Sequence, residues 1–146
     1  MSDVTIEVAE RATEELVEAL NRILPQLSSS SPPLTLAELD EICRNDTVFI
    51  ARHKGTVVGS LTLVVFRIPT GMRAWIEDVV VDEAARGLGL GEALNVAAIN
   101  LTKELGCKTL DLTSRPSRVA ANKLYQKLGF VERQTNLYRY QGSAFD

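Results

Sequence analysis

A glycine-rich turn between a strand-like and a helix-like segment is the part of this sequence best suited to bind a ligand. Arg86 opens the turn, and glycines alternate through it at Gly87, Gly89 and Gly91. Glycine lets the backbone approach a bound group closely, and the first N–H groups of a helix have no internal acceptors. Phosphate oxygens satisfy such donors and are favoured by the positive end of the helix dipole. The turn therefore predicts a phosphate-bearing ligand.

The spacing of the glycines in the turn distinguishes among the candidate phosphate-bearing ligands. A Walker loop requires Lys and then Ser or Thr after its last glycine, whereas Glu92 and Ala93 follow Gly91 here. A dinucleotide fingerprint reads G-x-G-x-x-G, and this run reads G-x-G-x-G. Asp111 nevertheless stands near the place of a ribose-binding acid on the next strand-like segment. A dinucleotide-binding protein thus remains an alternative.

Three side chains outside this turn can take part in proton transfer. Glu77 and Asp78 precede the turn on a strand-like run, and Tyr125 lies on a later helix-like segment. A carboxylate can act as a general base, and a phenol is a weak acid. The alternatives are a surface carboxylate for Glu77 and a core aromatic for Tyr125.

Strand alternation predicts which neighbours accompany Glu77. The residues expected on its face are Trp75, Glu77, Val79 and Val81. This pattern places the Glu77 carboxylate among apolar side chains. A β-bulge would change the parity and give the same role to Asp78.

Composition restricts the remaining classes of protein. The 146 residues are 45% apolar and 24% charged, with a formal net charge of -3, as in ordinary soluble domains. Cys43 and Cys107 are too few for a disulfide framework, and His53 is the single histidine, so no metal site is expected. No apolar run approaches the ~20 residues that span a bilayer. We expect no membrane partner and a cytoplasmic location.

Basic side chains outnumber acidic ones late in the chain, because residues 115–139 carry six basic residues against Glu132 alone. This distribution suits a phosphorylated ligand. The sequence pI near 5.3 and the sparse spacing of the cations argue against nucleic acid as a partner.

The elements that must position these residues follow from periodicity and turn signals. We predict one domain over residues 1–146, in the order β-α-α-β-β-β-α-β-α-β-β. The predicted class is α/β (α+β), with four helices and a mixed, mostly antiparallel sheet of about seven strands. The predicted strands are 4–8, 47–52, 56–66, 73–82, 108–113, 130–131 and 136–140. A helix-length crossover should make strand 108–113 parallel to strand 73–82.

Three sequence blocks resemble the GNAT-type N-acetyltransferase superfamily. The glycine turn Arg86-Gly87-Leu88-Gly89-Leu90-Gly91 is similar to its R/Q-x-x-G-x-G/A loop. The strand block over 76–81 and the helix block over 121–130 also agree. The resemblance covers roughly residues 47–140, and it implies a GNAT-like fold that takes acetyl-CoA as acyl donor.

The resemblance also implies where acetyl-CoA would bind. The pyrophosphate would lie on the glycine turn, and the pantetheine arm in a gap between two diverging parallel strands. Asn122 would bond the pantetheine or, alternatively, a helix carbonyl. The implied binding residues are Val79, Val80, Val81, Arg86, Gly87, Leu88, Gly89, Leu90, Gly91, Glu92 and Asn122.

In such an enzyme Glu77, or Asp78 if the strand is bulged, would deprotonate a primary amine that attacks the thioester directly in a ternary complex. Tyr125 would protonate the leaving thiolate. A catalytically silent acyl-CoA-binding module is an alternative. The amine would enter over residues 26–34 and 132–136, and the 76–79 block is similar to that of glucosamine-phosphate acetyltransferases. Whether the protein forms a homodimer stays open.

Overall fold

The computed structural model describes residues 3–143. The chain divides after Thr113 into two compact units, which are described here one at a time. The first contains the sheet and three helices, and the second contains one helix followed by a segment with no further α-helix or strand among its described residues.

The first unit follows the predicted order closely. Its elements are β1 (Val4–Val8), α1 (Glu14–Ile23), α2 (Leu36–Asn45), β2 (Thr47–His53), β3 (Thr56–Ile68), β4 (Gly71–Val81), α3 (Leu90–Glu104) and β5 (Thr109–Asp111). Short 3-10 turns follow α1 at Leu24–Gln26 and β4 at Glu83–Ala85. Within the described residues the sheet has the order β1-β2-β3-β4-β5. The β2–β3–β4 meander is antiparallel and β5 is parallel to β4, which confirms both predictions.

Local signals explain where the first two helices begin. Thr13 caps α1 by accepting a hydrogen bond from the Leu16 N–H at 3.2 Å. At α2 the Thr35 hydroxyl accepts from the Glu38 N–H, and the Glu38 carboxylate accepts from the Thr35 N–H, at 3.1 and 2.9 Å. This reciprocal pair is the predicted capping box.

The helices cover the two faces of the sheet separately. Buried residues of α1 and α2, including Leu20 and Leu39, form one core cluster with Val48, Ile50 and Val80 of the sheet. We call this side the α1–α2 face. On the other side, the α3 face, a Cβ built at Gly59 would lie 3.3 Å from Leu94 Cδ1 and 3.2 Å from the Val80 carbonyl oxygen. Glycine at this position permits α3 to pack closely on β3.

The second unit differs from the prediction at its end. Its helix α4 spans Val119–Lys127, and Gly129, with φ +103°, follows it as expected. Within the described residues, the predicted strands at 130–131 and 136–140 are absent, so the sheet has five strands and not about seven. All residues from 131 to 140 are exposed. Their β-prone side chains have no neighbouring strand within this unit, and β-propensity without pairing and burial does not produce a strand.

Candidate active site

The strand that carries Glu77 and Asp78 is bulged at these residues. Thr62 of β3 lies opposite Glu77, and Ser60 lies opposite Val80. Leu61 therefore faces two residues of β4 where a regular ladder would place one. Asp78 adopts φ +50°, in the left-handed region that aspartate tolerates better than most residues. The structure thus contains the bulge that would change the parity of β4.

The bulge redistributes the side chains of β4 between the two faces. Glu77 and Val80 lie on the α1–α2 face, whereas Val81, opposite Gly59, lies on the α3 face. The predicted grouping of Glu77 with Val81 is therefore wrong, since an extra residue separates them. Trp75 does accompany Glu77, and its indole Nε1–H donates to Glu77 Oε1 at 3.1 Å. Glu77 is exposed, so its expected apolar surroundings are also wrong.

Asp78 contributes to a cavity of about 90 Å³ on the α1–α2 face. The cavity lies between this face of the sheet and the helices α1 and α2. Aliphatic side chains dominate its lining. The lining residues are Leu20, Leu24, Leu34, Leu39, Ile42, Val48, Ser60, Thr62 and Asp78. One carboxylate therefore adjoins a pocket that is otherwise mostly apolar.

The parallel pairing of β4 with β5 ends two residues before the bulge, where β5 itself ends at Asp111. Their pairing extends only from Arg73–Thr109 to Trp75–Asp111. At the far end of β4, the Asp82 N–H donates to the Val58 carbonyl of β3 at 2.7 Å. Since main-chain groups alternate in direction along a strand, those of Val81 point away from β3. The edge of β4 beyond Trp75 is therefore unpaired on the β5 side among the described residues.

The glycine turn leads from β4 into α3. Gly87 and Gly89 have φ +86° and +74°, and a Cβ at either position would meet open space. Backbone conformation, rather than crowding, requires glycine there. The Ala93 N–H donates to the Gly89 carbonyl at 3.0 Å, at the start of the helix. The N–H groups of residues 90–92 precede this bond and have no acceptor within α3.

The side chains of the turn differ in exposure. Arg86 is exposed, and its backbone N–H donates to the Glu83 carbonyl at 3.3 Å. Leu88 is exposed, whereas Leu90 is buried in the first turn of α3. Gly91 and Glu92 are half-buried in that same turn. The guanidinium of Arg86 is thus accessible near the start of α3.

Gln26 forms side-chain hydrogen bonds at the start of the turn, a contact that sequence analysis missed although it placed Gln26 in the 26–34 segment. Its carbonyl oxygen accepts from the Glu83 N–H at 2.9 Å, and its Nε2 donates to Asp82 Oδ1 at 3.3 Å. Asp82 in turn accepts from the Ala84 N–H at 3.1 Å. These bonds tie the end of α1 to the end of β4. A lone glutamine after Pro25 gave no signal of this contact in the sequence.

Asn95 is a second residue that sequence analysis missed. Its side chain is fully buried, and Nδ2 donates to the Gly91 carbonyl at 2.8 Å. Its Oδ1 is buried without a partner among the described residues. The signal for Asn95 in the sequence was a polar amide next to the apolar helix positions Leu94 and Ala98. Asn95 fixes the first turn of α3, where the glycine residues end.

In the second unit, Asn122 and Tyr125 lie on α4. Asn122 Nδ2 donates to the Arg115 carbonyl at 2.9 Å, in the segment before the helix. Tyr125 is 8% exposed and packs edge-on against Phe130, with ring centroids 5.8 Å apart. Burial raises the pKa of the Tyr125 phenol, and the nearby Arg118 charge opposes this shift in part. The phenol therefore remains protonated at neutral pH.

Three further features of residues 3–143 bear on other chemical classes. No helix there is both long and apolar enough to cross a membrane. The same residues hold no cluster of three or more His, Cys, Asp or Glu side chains arranged around a metal position. Burial raises the pKa of the half-buried Cys43 thiol, and the Asp40 carboxylate adds to the effect. This disfavours a nucleophilic thiolate at Cys43.

A mixed sheet whose fourth strand leads through a glycine turn into a helix N-terminus is typical of α/β proteins that bind phosphate-bearing ligands. The family model of the acetyltransferase (GNAT) family matches residues 13–130. The chain belongs to this family and is an acyltransferase of the N-acetyltransferase type. GNAT enzymes use acetyl-CoA as acyl donor.

Three proteins similar to this chain are themselves named as acetyltransferases. The chain is 36% identical over 121 residues to a glucosamine 6-phosphate N-acetyltransferase of Trypanosoma brucei brucei, covering 75% of this chain and 80% of the relative. It is 34% identical over 98 residues to the N-alpha-acetyltransferase MAK3 of Arabidopsis thaliana. That match covers 67% of this chain but only about half, 51%, of the plant protein. A crystal structure of a Trypanosoma brucei acetyltransferase superposes with a TM-score of 0.76 at 28% identity, covering 95% and 100% of the two chains.

Proposed function

We propose that this enzyme transfers the acetyl group of acetyl-CoA to a primary amine by direct attack in a ternary complex. One observation carries the proposal: β4 is unpaired by β5 beyond Trp75 and continues into a glycine turn, where Gly89 precedes α3 without a side-chain cap. A long ligand with a pyrophosphate at one end would lie along this edge and reach the turn. CoA has this shape and charge.

In the proposed complex the pyrophosphate accepts hydrogen bonds from the turn and the first N–H groups of α3, and Arg86 supplies a positive charge. The pantetheine arm lies along the open side of β4, where Val81 directs its main-chain groups. The proposed coenzyme ligands are Val79, Val80, Val81, Arg86, Gly87, Leu88, Gly89, Leu90, Gly91, Glu92 and Asn122. Asn122 would have to exchange its bond to Arg115 for one to the ligand.

The bulge supports Asp78 as the general base. An attacking amine must lose a proton, and Asp78 lines a cavity able to receive the amine. Glu77 is the second candidate, with its carboxylate oriented by the Trp75 indole. Replacing each carboxylate by its amide, as Asp78→Asn and Glu77→Gln, distinguishes the two candidate bases.

Tyr125 is the proposed acid for the leaving thiolate. Its raised pKa keeps the phenol protonated at neutral pH, as proton donation requires. A main-chain N–H near Val79 would stabilise the oxyanion of the tetrahedral intermediate. The protonated thiol of CoA and the acetylated amine are then the products.

Thermal unfolding with acetyl-CoA, CoA and NADH, followed by thiol release over a panel of amines, tests the proposal. We expect stabilisation by both CoA forms and acetyl-CoA-dependent thiol release with at least one amine. Stabilisation by CoA without release on any amine indicates a silent acyl-CoA-binding module. Stabilisation by NADH alone indicates a dinucleotide-binding protein.

A further inference from the structure

We propose that the acceptor is a primary amine on a short, branched aliphatic group, which occupies the cavity beside Asp78. This inference rests on the proposed function and specifies its substrate. It distinguishes an apolar amine from a phosphorylated amino sugar, the substrate class that the name of the trypanosome relative suggests.

The lining of the cavity has the chemistry of an aliphatic binding site. Six of its residues are Leu, Ile or Val, among them Leu39 and Val48, which are 1% and 2% exposed. No lysine, arginine or histidine belongs to the lining among the described residues. A phosphate placed here would lose its hydration without a compensating cation, which is strongly unfavourable. An alkyl group gains free energy from the same desolvation.

The polar groups of the cavity lie together on the strands. Asp78 is on β4 at the bulge, and Ser60 and Thr62 are on the adjacent strand β3. A substrate ammonium beside Asp78 gains an opposite charge, while its carbon chain extends toward α1 and α2. Asp78 lies in the bulge, with φ +50°, and its carboxylate therefore stands at a point of the ladder where β4 has one extra residue.

The volume limits the size of the alkyl group. An apolar cavity of about 150 Å³ holds a benzene molecule of six carbons. By proportion, the cavity of about 90 Å³ holds roughly three to four carbons. Isobutylamine fits this description, and a hexyl chain does not.

Two half-buried residues of the lining can be changed with little risk to the core. Ile42 lies on α2, and Leu34 lies just before this helix. The Asn21 side chain holds Leu34 by donating to its carbonyl at 2.9 Å and accepting from its N–H at 2.8 Å. Leu36, also on α2, is 43% exposed and outside the lining, so Leu36→Ala is a matched control.

The test measures acetyl-CoA-dependent thiol release with isobutylamine, hexylamine and glucosamine 6-phosphate as acceptors. We expect kcat/KM for isobutylamine to exceed that for the sugar phosphate by about tenfold or more, the discrimination a few apolar contacts can supply. Ile42→Ala should shift the preference toward hexylamine by about tenfold, and Leu34→Phe should lower kcat/KM for isobutylamine. Leu36→Ala should change neither. Melting temperatures of all three variants establish that they are folded.

The outcomes separate the aliphatic acceptor from the acetyltransferase function on which it rests. Faster transfer to glucosamine 6-phosphate, or preferences that Ile42→Ala and Leu34→Phe leave unchanged, overturn the aliphatic acceptor and leave the acetyltransferase proposal standing. Absence of transfer to every amine, with or without acetyl-CoA binding, overturns the proposed function and the acceptor inference with it.

Discussion

At the scale of single residues, neighbouring carboxylates have different surroundings. Both are exposed, but Glu77 accepts a hydrogen bond from Trp75, whereas Asp78 adopts a left-handed conformation beside the α1–α2 cavity. The difference comes from one extra residue in β4. A base must reach the amine, and the cavity is where we expect the amine to bind.

Asp78→Asn removes the carboxylate charge and nearly preserves the side-chain shape. We expect turnover to fall by about a hundredfold or more, with acetyl-CoA affinity near that of the wild type. Steady-state kinetics and acetyl-CoA titration measure the two effects. Glu77→Gln is the matched control, and a large loss of turnover in Glu77→Gln alone would assign the base to Glu77.

Tyr125→Phe removes only the phenolic oxygen and keeps the ring that packs on Phe130. If Tyr125 protonates the thiolate, turnover should fall by about tenfold to a thousandfold at an unchanged melting temperature. The loss should shrink with an acyl donor whose thiol is more acidic. Wild-type turnover in a folded Tyr125→Phe protein would make this residue a core aromatic only, whose hydroxyl contributes about 1 kcal/mol or less to stability.

The pH profile depends on the same phenol. Burial raises the pKa of Tyr125 above its ordinary value of about 10, so the acid form persists throughout the neutral and mildly alkaline range. Turnover should therefore increase from pH 7 to pH 9 as the amine deprotonates, without a decline caused by ionisation of the acid. A pH–rate profile measures this directly. A decline between pH 8 and pH 9 in the wild type that is missing in Tyr125→Phe would contradict the raised pKa of Tyr125.

At the scale of elements, the glycine turn joins β4 to α3 in a conformation that other residues rarely adopt. Gly89 has φ +74° and immediately precedes the helix, with open space where a Cβ would project. Open space at this point is where a pyrophosphate would approach. The turn thus requires glycine for its backbone conformation and, in the proposed complex, receives the pyrophosphate.

Gly89→Val should weaken acetyl-CoA binding, because the side chain both fills the approach to the helix N-terminus and disfavours the left-handed conformation. Isothermal titration measures the affinity. Gly55→Val is a matched control, since Gly55 has φ +83° in the β2–β3 turn and also faces open space. Both variants should lose about 1–2 kcal/mol of stability from the strained residue. Equal affinities in the two folded variants would argue against the turn as the binding site.

At the scale of the whole molecule, ligand binding and folding are linked. Acetyl-CoA at about 100 times its dissociation constant should stabilise the native state by about 2.7 kcal/mol. For a chain of this length the melting temperature should then rise by several degrees. Thermal unfolding with increasing acetyl-CoA measures the shift. An unchanged melting temperature at millimolar acetyl-CoA would contradict binding.

The sequence by itself determined the features that depend on near neighbours. The capping box of Thr35 and Glu38, the period of α1 and α3, and the glycines of the turn each involve contacts within about four residues. The order of the first nine predicted helices and strands agrees with the structure for the same reason. The parallel pairing of β4 with β5 was predictable because a helical crossover imposes it.

Only the tertiary structure decided what depends on distant partners. The bulge at Asp78 arises from the register between β4 and Ser60 and Thr62 of β3. The cavity requires side chains from α1, α2 and three strands to leave space between them. The terminal segment 130–140 has β-prone residues but no strand to pair with in its own unit. Pairing register, packing gaps and strand partners are set by contacts between residues far apart in sequence, and local composition contains no direct signal of them.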